Sequence, residues 1–191
     1  MRFTAFYILI SLLLLSGCIS TPPSQFYTLD MTPSGRAKPD INLEIETIEV
    51  AEALQRESIL IMASPTTVEY YASEQWVAGL HELIRQKLQI ELGPKRKGQP
   101  TLGMAVRVLS FGQVDSPEGI QTQASLGVKI RPLLSSRYEK PLFERIYTIT
   151  KPVQAPSVSE VVVALSDCME EIAVRIAGDT RKLADAHSTT P

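Results

Sequence analysis

Residues 102–114 read Leu-Gly-Met-Ala-Val-Arg-Val-Leu-Ser-Phe-Gly-Gln-Val, and Leu102, Met104, Val106 and Val108 fall on one side of an alternating strand. Ile120, Ala124, Leu126, Val128 and Ile130 make the next strand until Pro132 stops it. Leu142 to Thr150 make a third after a turn containing Pro141. Three strands in succession with short connections predict an antiparallel meander.

Working outward, Ile41, Leu43 and Ile45 alternate with polar residues, and the phase then shifts to Ile48 and Val50, which predicts a bulge near Thr47. Ile59 to Met62 form a continuous apolar run suited to a central strand, and Val68 to Tyr71 pair with it across a turn at Ser64 and Pro65. Phe26-Tyr27-Thr28-Leu29 is a short β-prone patch, followed by a loop that Pro33, Gly35 and Pro39 mark. Ser73 caps a helix whose apolar face carries Trp76, Leu80, Leu83, Ile84 and Leu88, and Gly93-Pro94 ends it. Ser157 and Glu160 form a capping box for a final helix, with Val161, Leu165, Cys168, Met169, Ile172 and Ile176 in one stripe. Two such stripes need a common surface. The expected fold class is α+β: a single mainly antiparallel or mixed sheet with two amphipathic helices packed on one face, leaving the other face to water, ligand or partner.

The N-terminus carries a different signal. Arg2 precedes an apolar run from Phe3 to Leu15, and Leu15, Ser16, Gly17 and Cys18 then spell a lipoprotein cleavage box. The run is shorter than the ~20 residues a membrane-spanning helix requires. Small residues before the cut admit a peptidase, and the Cys18 thiol carries the diacylglycerol. The two or three acyl chains expected there make dissociation very slow, at about 0.8 kcal/mol per buried methylene. Ile19 follows the cysteine where inner-membrane retention in lipoprotein sorting is associated with Asp, so that comparison implies the periplasmic face of the outer membrane. The expected organisation is a signal peptide at 1–17, the lipidated cysteine and tether at 18–25, a periplasmic α+β domain at 26–183 and a disordered tail at 184–191. Pro22 and Pro23 keep the tether extended, and about seven residues at ~3.3 Å each reach only some 20 to 25 Å.

Composition narrows the function. The 191-residue chain has 44% hydrophobic and 21% charged residues, enough for one domain with a sizeable core. Its formal net charge of −2, one unit more negative without Arg2, offers no broad basic face, so no nucleic-acid partner is expected. With Cys18 consumed by lipid, Cys168 has no intramolecular partner and the core must hold the fold.

No catalytic constellation stands out. His81 lies beside a helix stripe and His187 in the tail, and there is no Gly-x-Ser-x-Gly elbow, phosphate-binding loop or paired histidine motif. The chain therefore reads as a non-enzyme with no cofactor and no metal. Glu44, Glu46 and Glu49 read as a solvated strand face, Cys168 as core, and Lys95-Arg96-Lys97 as a solvated loop or a contact for lipid headgroups or an acidic partner.

Taken in order, Leu15-Ser16-Gly17-Cys18, Phe26-Tyr27-Thr28-Leu29, Leu54-Gln55-Arg56 and Glu74-Gln75-Trp76 opening a helix resemble the ABC-type transport auxiliary lipoprotein family, the PqiC-like lipoproteins. The resemblance spans roughly Cys18 to Ile176. Phe26, Tyr27, Leu29, Leu54 and Trp76 match its pattern as positions that need only be structural, while a proline near Ala53 and an Asp at Gln55 are missing. It implies a lipid-anchored docking subunit for an MCE-type periplasmic protein and its permease, moving lipids between membranes and supporting envelope integrity, with a homo-oligomer compatible. The alternatives are a lipid-binding carrier module or a periplasmic enzyme using scattered carboxylates.

Overall fold

In a computed structural model, residues 23–133, 135 and 139–188 are described. The signal peptide, Cys18 and most of the tether lie outside them. The meander is present as β5 (Thr101–Ser116), β6 (Gly119–Pro132) and β7 (Phe143–Pro152), paired antiparallel throughout. Met104, Val108, Ala124, Leu126, Val128 and Ile130 are fully buried on one side of it, which is the side the alternation assigns to the core.

β5 is long enough for its second edge to carry two strands in line. β2 (Asn42–Val50) runs parallel to its first half, with a register shift between Ile45 and Thr47 where the phase change predicts one. The chain then leaves the sheet through a 3-10 turn (Glu52–Leu54) and returns as β3 (Ser58–Ser64), parallel to the second half of β5. β4 (Thr67–Trp76) forms the expected hairpin with β3, and β1 (Gln25–Tyr27) adds to β4 in parallel. The result is a seven-stranded mixed sheet of order β1-β4-β3-β5-β6-β7, with β2 also on β5. Helices α1 (Leu80–Leu92) and α2 (Val158–Ser188) complete an α+β fold.

Two boundaries differ from the sequence reading. Ser73 to Trp76 are strand, not helix, and α1 starts at Leu80 from Gly79 with no side-chain cap. Trp76 is held in the sheet by its register with Tyr27 and by donating its amide to the Glu57 carbonyl at 2.7 Å. Its indole packs 5.8 Å from the Phe111 ring, inside the core that Leu80, Ile84 and Leu88 also enter. Strand and helix share one apolar interior, so Trp76 mimics a helical spacing across the boundary. At the other end, α2 runs to Ser188, past the Leu183 limit, while residues 189–191 of the expected tail lie outside those described. The capping box is half made: the Glu160 amide donates to Ser157 Oγ at 3.3 Å, but the Ser157 amide bonds the Ala155 carbonyl.

The Pro- and Gly-marked loop after Leu29 is a strap that ties the helices together. Leu29 is buried in the core, and the Asp30 amide donates to Ser166 Oγ of α2 at 3.0 Å. The Thr32 carbonyl accepts from Lys87 Nζ of α1 at 3.4 Å, Ser34 bonds the Glu91 carboxylate, and Asp40 pairs with Arg181 at 2.8 Å. Lys87 is fully buried between these elements, 2.8 Å from Glu91 and 3.4 Å from Glu170. Burial opposes charge on Glu91, but hydrogen bonds from Lys87 and Ser34 and the Lys87 charge outweigh it and hold the carboxyl below its ordinary value. Removing one partner of such a pair strands the other without compensation.

Lys87→Met is therefore expected to destabilise the domain by about 3 to 5 kcal/mol in urea unfolding, although it keeps an unbranched apolar side chain of similar size. Because the Glu91 pKa is lower folded than unfolded, its stabilisation is complete above the ordinary carboxylate range and is lost as pH falls through the lowered value. Thermal melts between about pH 5 and about pH 3 should show a falling midpoint, and Glu91→Gln should flatten that part of the profile.

Candidate functional site

Alternation gives each strand one set of side chains under the helices and another on the opposite face. That opposite face carries a groove of about 620 Å³ across β2, β5, β6 and β7. Its centre is Gly127, which pairs with Arg107 on one side and Ile146 on the other. A Cβ at Gly127 would sit 4.0 Å from both Leu109 Cδ1 and Ile146 Cγ1, so the missing side chain leaves a trough between two aliphatic walls. Leu109 is the extra residue of a bulge, since Val108 pairs with Leu126 and Ser110 with Ser125. Leu109 is 39% exposed and Ile146 62% exposed.

Charges ring this apolar centre. Lys129 and Glu144 face each other across the strands at 3.0 Å, and Arg107 stands in register with Glu49. Glu46 lies over Gly103, where a Cβ would come within 2.4 Å of its carboxylate, and reaches 3.9 Å from Arg131 Nε. The Arg131 side chain is only 10% exposed, and both its Nε and the nearby Ser135 Oγ are buried without a hydrogen bond. An aliphatic trough with a charged rim has the anatomy of a protein-binding surface.

The acidic strand face thus divides. Glu46 and Glu49 line the groove, whereas Glu44 stands outside its lining and pairs with Lys95 at 2.7 Å. Asn42 pins the basic loop beside it, accepting from the Arg96 amide at 2.7 Å and donating to the Arg96 and Gln99 carbonyls. Cys168 is buried against Thr122, and burial pushes its thiol pKa up, away from reactivity. His81 is exposed on α1. No group of three or more His, Cys, Asp or Glu able to hold a metal occurs among the described residues.

Of the positions carrying the family resemblance, Leu29, Leu54 and Trp76 are buried in the core and Tyr27 packs against it. Leu54 is seated where the Tyr70 hydroxyl donates to the Ala53 carbonyl at 2.8 Å and Arg56 stacks 4.6 Å over the Tyr70 ring. Phe26 alone of the five is open, at 62% exposure, and none of them lines the groove. Sequence reasoning passed over Leu109, Gly127 and Ile146. Two signals were available: a glycine inside an apolar strand, and the even-to-odd change of core positions between Val108 and Phe111.

Residues 27–177 match the family described as the ABC-type transport auxiliary lipoprotein component. The chain belongs to that family. The fold of this auxiliary lipoprotein is similar to that of a Xanthomonas campestris protein assigned to DUF330, at TM-score 0.68 and 15% identity over 87% of this chain and all of that one. A solved structure of an uncharacterised protein is similar at TM-score 0.64 and 15% identity, over 82% of this chain and 98% of that one. No curated protein sequence matches the chain.

Residues on the two faces of the adjacent strands β6 and β7 of the auxiliary lipoprotein should differ in how much a substitution costs. Ile146→Asp is expected to change unfolding free energy by less than about 1 kcal/mol, because the side chain already meets water. Leu126→Ala, on the buried face, should cost about 2 to 5 kcal/mol in the same urea titration.

Proposed function

We propose that this chain is lipidated at Cys18, held on the periplasmic face of the outer membrane, and serves as the non-enzymatic docking subunit of an ABC-type system. The system contains an MCE-domain periplasmic protein and its permease, and moves lipids between the membranes to maintain envelope integrity. The anchor fixes the domain, and the open face of the sheet receives the periplasmic end of the transporter.

The observation that carries this reading is the Leu109–Gly127–Ile146 trough with its charged rim, exposed on a sheet whose other face is committed to the core. Membership of a transport auxiliary family supports a partner-binding role for that surface. Docking is favoured over lipid carriage because the core under α2 is filled, with Phe111, Leu126, Leu165, Met169 and Ile172 all fully buried, and the space of about 810 Å³ between α1 and β2 is an open cleft at the sheet edge rather than an enclosed chamber. Mechanism here is positioning, with aliphatic burial supplying affinity and the rim supplying register.

In-cell crosslinking followed by affinity purification and mass spectrometry tests it. Wild-type protein should recover an MCE-domain protein, with less recovered from Cys18→Ala. Ile146→Asp should reduce recovery about tenfold or more, the effect of losing a central contact worth at least about 1.4 kcal/mol. Recovery of no transporter component with wild type would refute the docking role, and full recovery with Ile146→Asp would move the docking surface elsewhere.

A further inference from the structure

The two largest exposed apolar side chains near the start of the domain lie together at the edge of the sheet. Phe26 is 62% exposed on edge strand β1, and Val77, 59% exposed, donates its amide to the Tyr27 carbonyl at 2.8 Å. Their neighbours are rigid. Tyr27 and Trp76, which flank them in sequence, pack against or within the core, so neither Phe26 nor Val77 can turn inward without displacing a buried aromatic. The core cannot use this ring, and the sheet holds it outward.

Seven residues lie between Cys18 and Phe26, and the eight chain steps reach no more than about 29 Å. On a domain anchored at Cys18 the bilayer is therefore the apolar phase always within reach of β1. We infer that Phe26 and Val77 form a membrane-contacting foot that enters the headgroup and acyl boundary of a zwitterionic lipid surface. Glu57, exposed where its carbonyl binds the Trp76 amide, suits the amines of zwitterionic headgroups better than a strongly anionic surface. The foot sets orientation rather than attachment, because the acyl chains already supply attachment. The groove lies toward the opposite edge, with β6 four strand spacings from β1, about 19 Å. Seating β1 on lipid leaves the groove about 19 Å along the sheet from the contacting edge.

This inference rests on the Cys18 anchor proposed above. The test uses full-length lipidated protein reconstituted into phosphatidylethanolamine and phosphatidylcholine vesicles whose acyl chains carry bromine, a short-range quencher of indole emission. Phe26→Trp is compared with Ile146→Trp, after subtracting the signal of the unsubstituted protein, whose single Trp76 is buried. Quenching at position 26 should exceed that at 146 at least about twofold, because a side chain in the acyl boundary lies within reach of the bromines and one in the distal groove does not. Equal quenching at the two positions, in protein that floats with the vesicles and shows the acyl mass by mass spectrometry, would overturn the foot while leaving the anchor intact. Protein lacking the acyl mass would overturn the anchor and the foot together.

Discussion

Strand β5 has to satisfy hydrogen-bonding groups on both edges along sixteen residues, and the rest of the fold follows from how it does so. A single hairpin partner, β6, serves one edge for almost its whole length. The other edge is shared by β2 and β3, which enter in parallel and in line, with the Ala51 amide still bonded to the Val108 carbonyl as the chain departs. The excursion from Glu52 to Glu57 is what allows a second strand to start beside β5 at a new register. At that register Gly112 is required, since a Cβ there would lie 2.4 Å from the Leu60 carbonyl oxygen. The β3–β4 hairpin, and through it β1 and the exposed Phe26, are placed by this arrangement.

Local periodicity made the elements legible and left the pairings dark. The meander, the β3–β4 hairpin, the bulge near Thr47 and both helices follow from alternation, turn residues and three-four spacing, all properties of neighbouring residues. Nothing local says that β2 and β3 run parallel to β5, because their partners lie about fifty residues away. Trp76 was misread for a related reason: a strand end and a helix start that face one core reproduce a helical spacing across three intervening residues. The groove was harder still, since its centre is an absence, the side chain that Gly127 does not have.

The strap shows how a loop-like composition can hold tertiary structure. Pro33, Gly35 and Pro39 rule out regular structure between Leu29 and Ile41, yet this segment supplies backbone and side-chain partners to both helices. Lys87 in the middle is a poor source of net stability, because desolvating an ammonium offsets most of its attraction to Glu91 and Glu170. Its geometric demands are what matter. An apolar side chain would tolerate several relative placements of α1, α2 and the strap, whereas a buried ammonium needs acceptors from all three at once.

Alternation also separates the residues that hold the domain together from those that line the open groove. Leu126 and Val128 are buried while Gly127 between them floors the groove, and Tyr147 is buried while Ile146 beside it is open. The packed core and the groove therefore sit on opposite sides of the same strands, and a change in one set leaves the other's environment intact. The similarity of this fold to solved structures at 15% identity is consistent with that division: the pattern of buried positions is enough to keep the sheet and helices together. Rim charges such as Arg107, Lys129 and Glu144 touch none of that core, so changing them should alter folding free energy by less than about 0.5 kcal/mol, far below the cost of a change at Leu126.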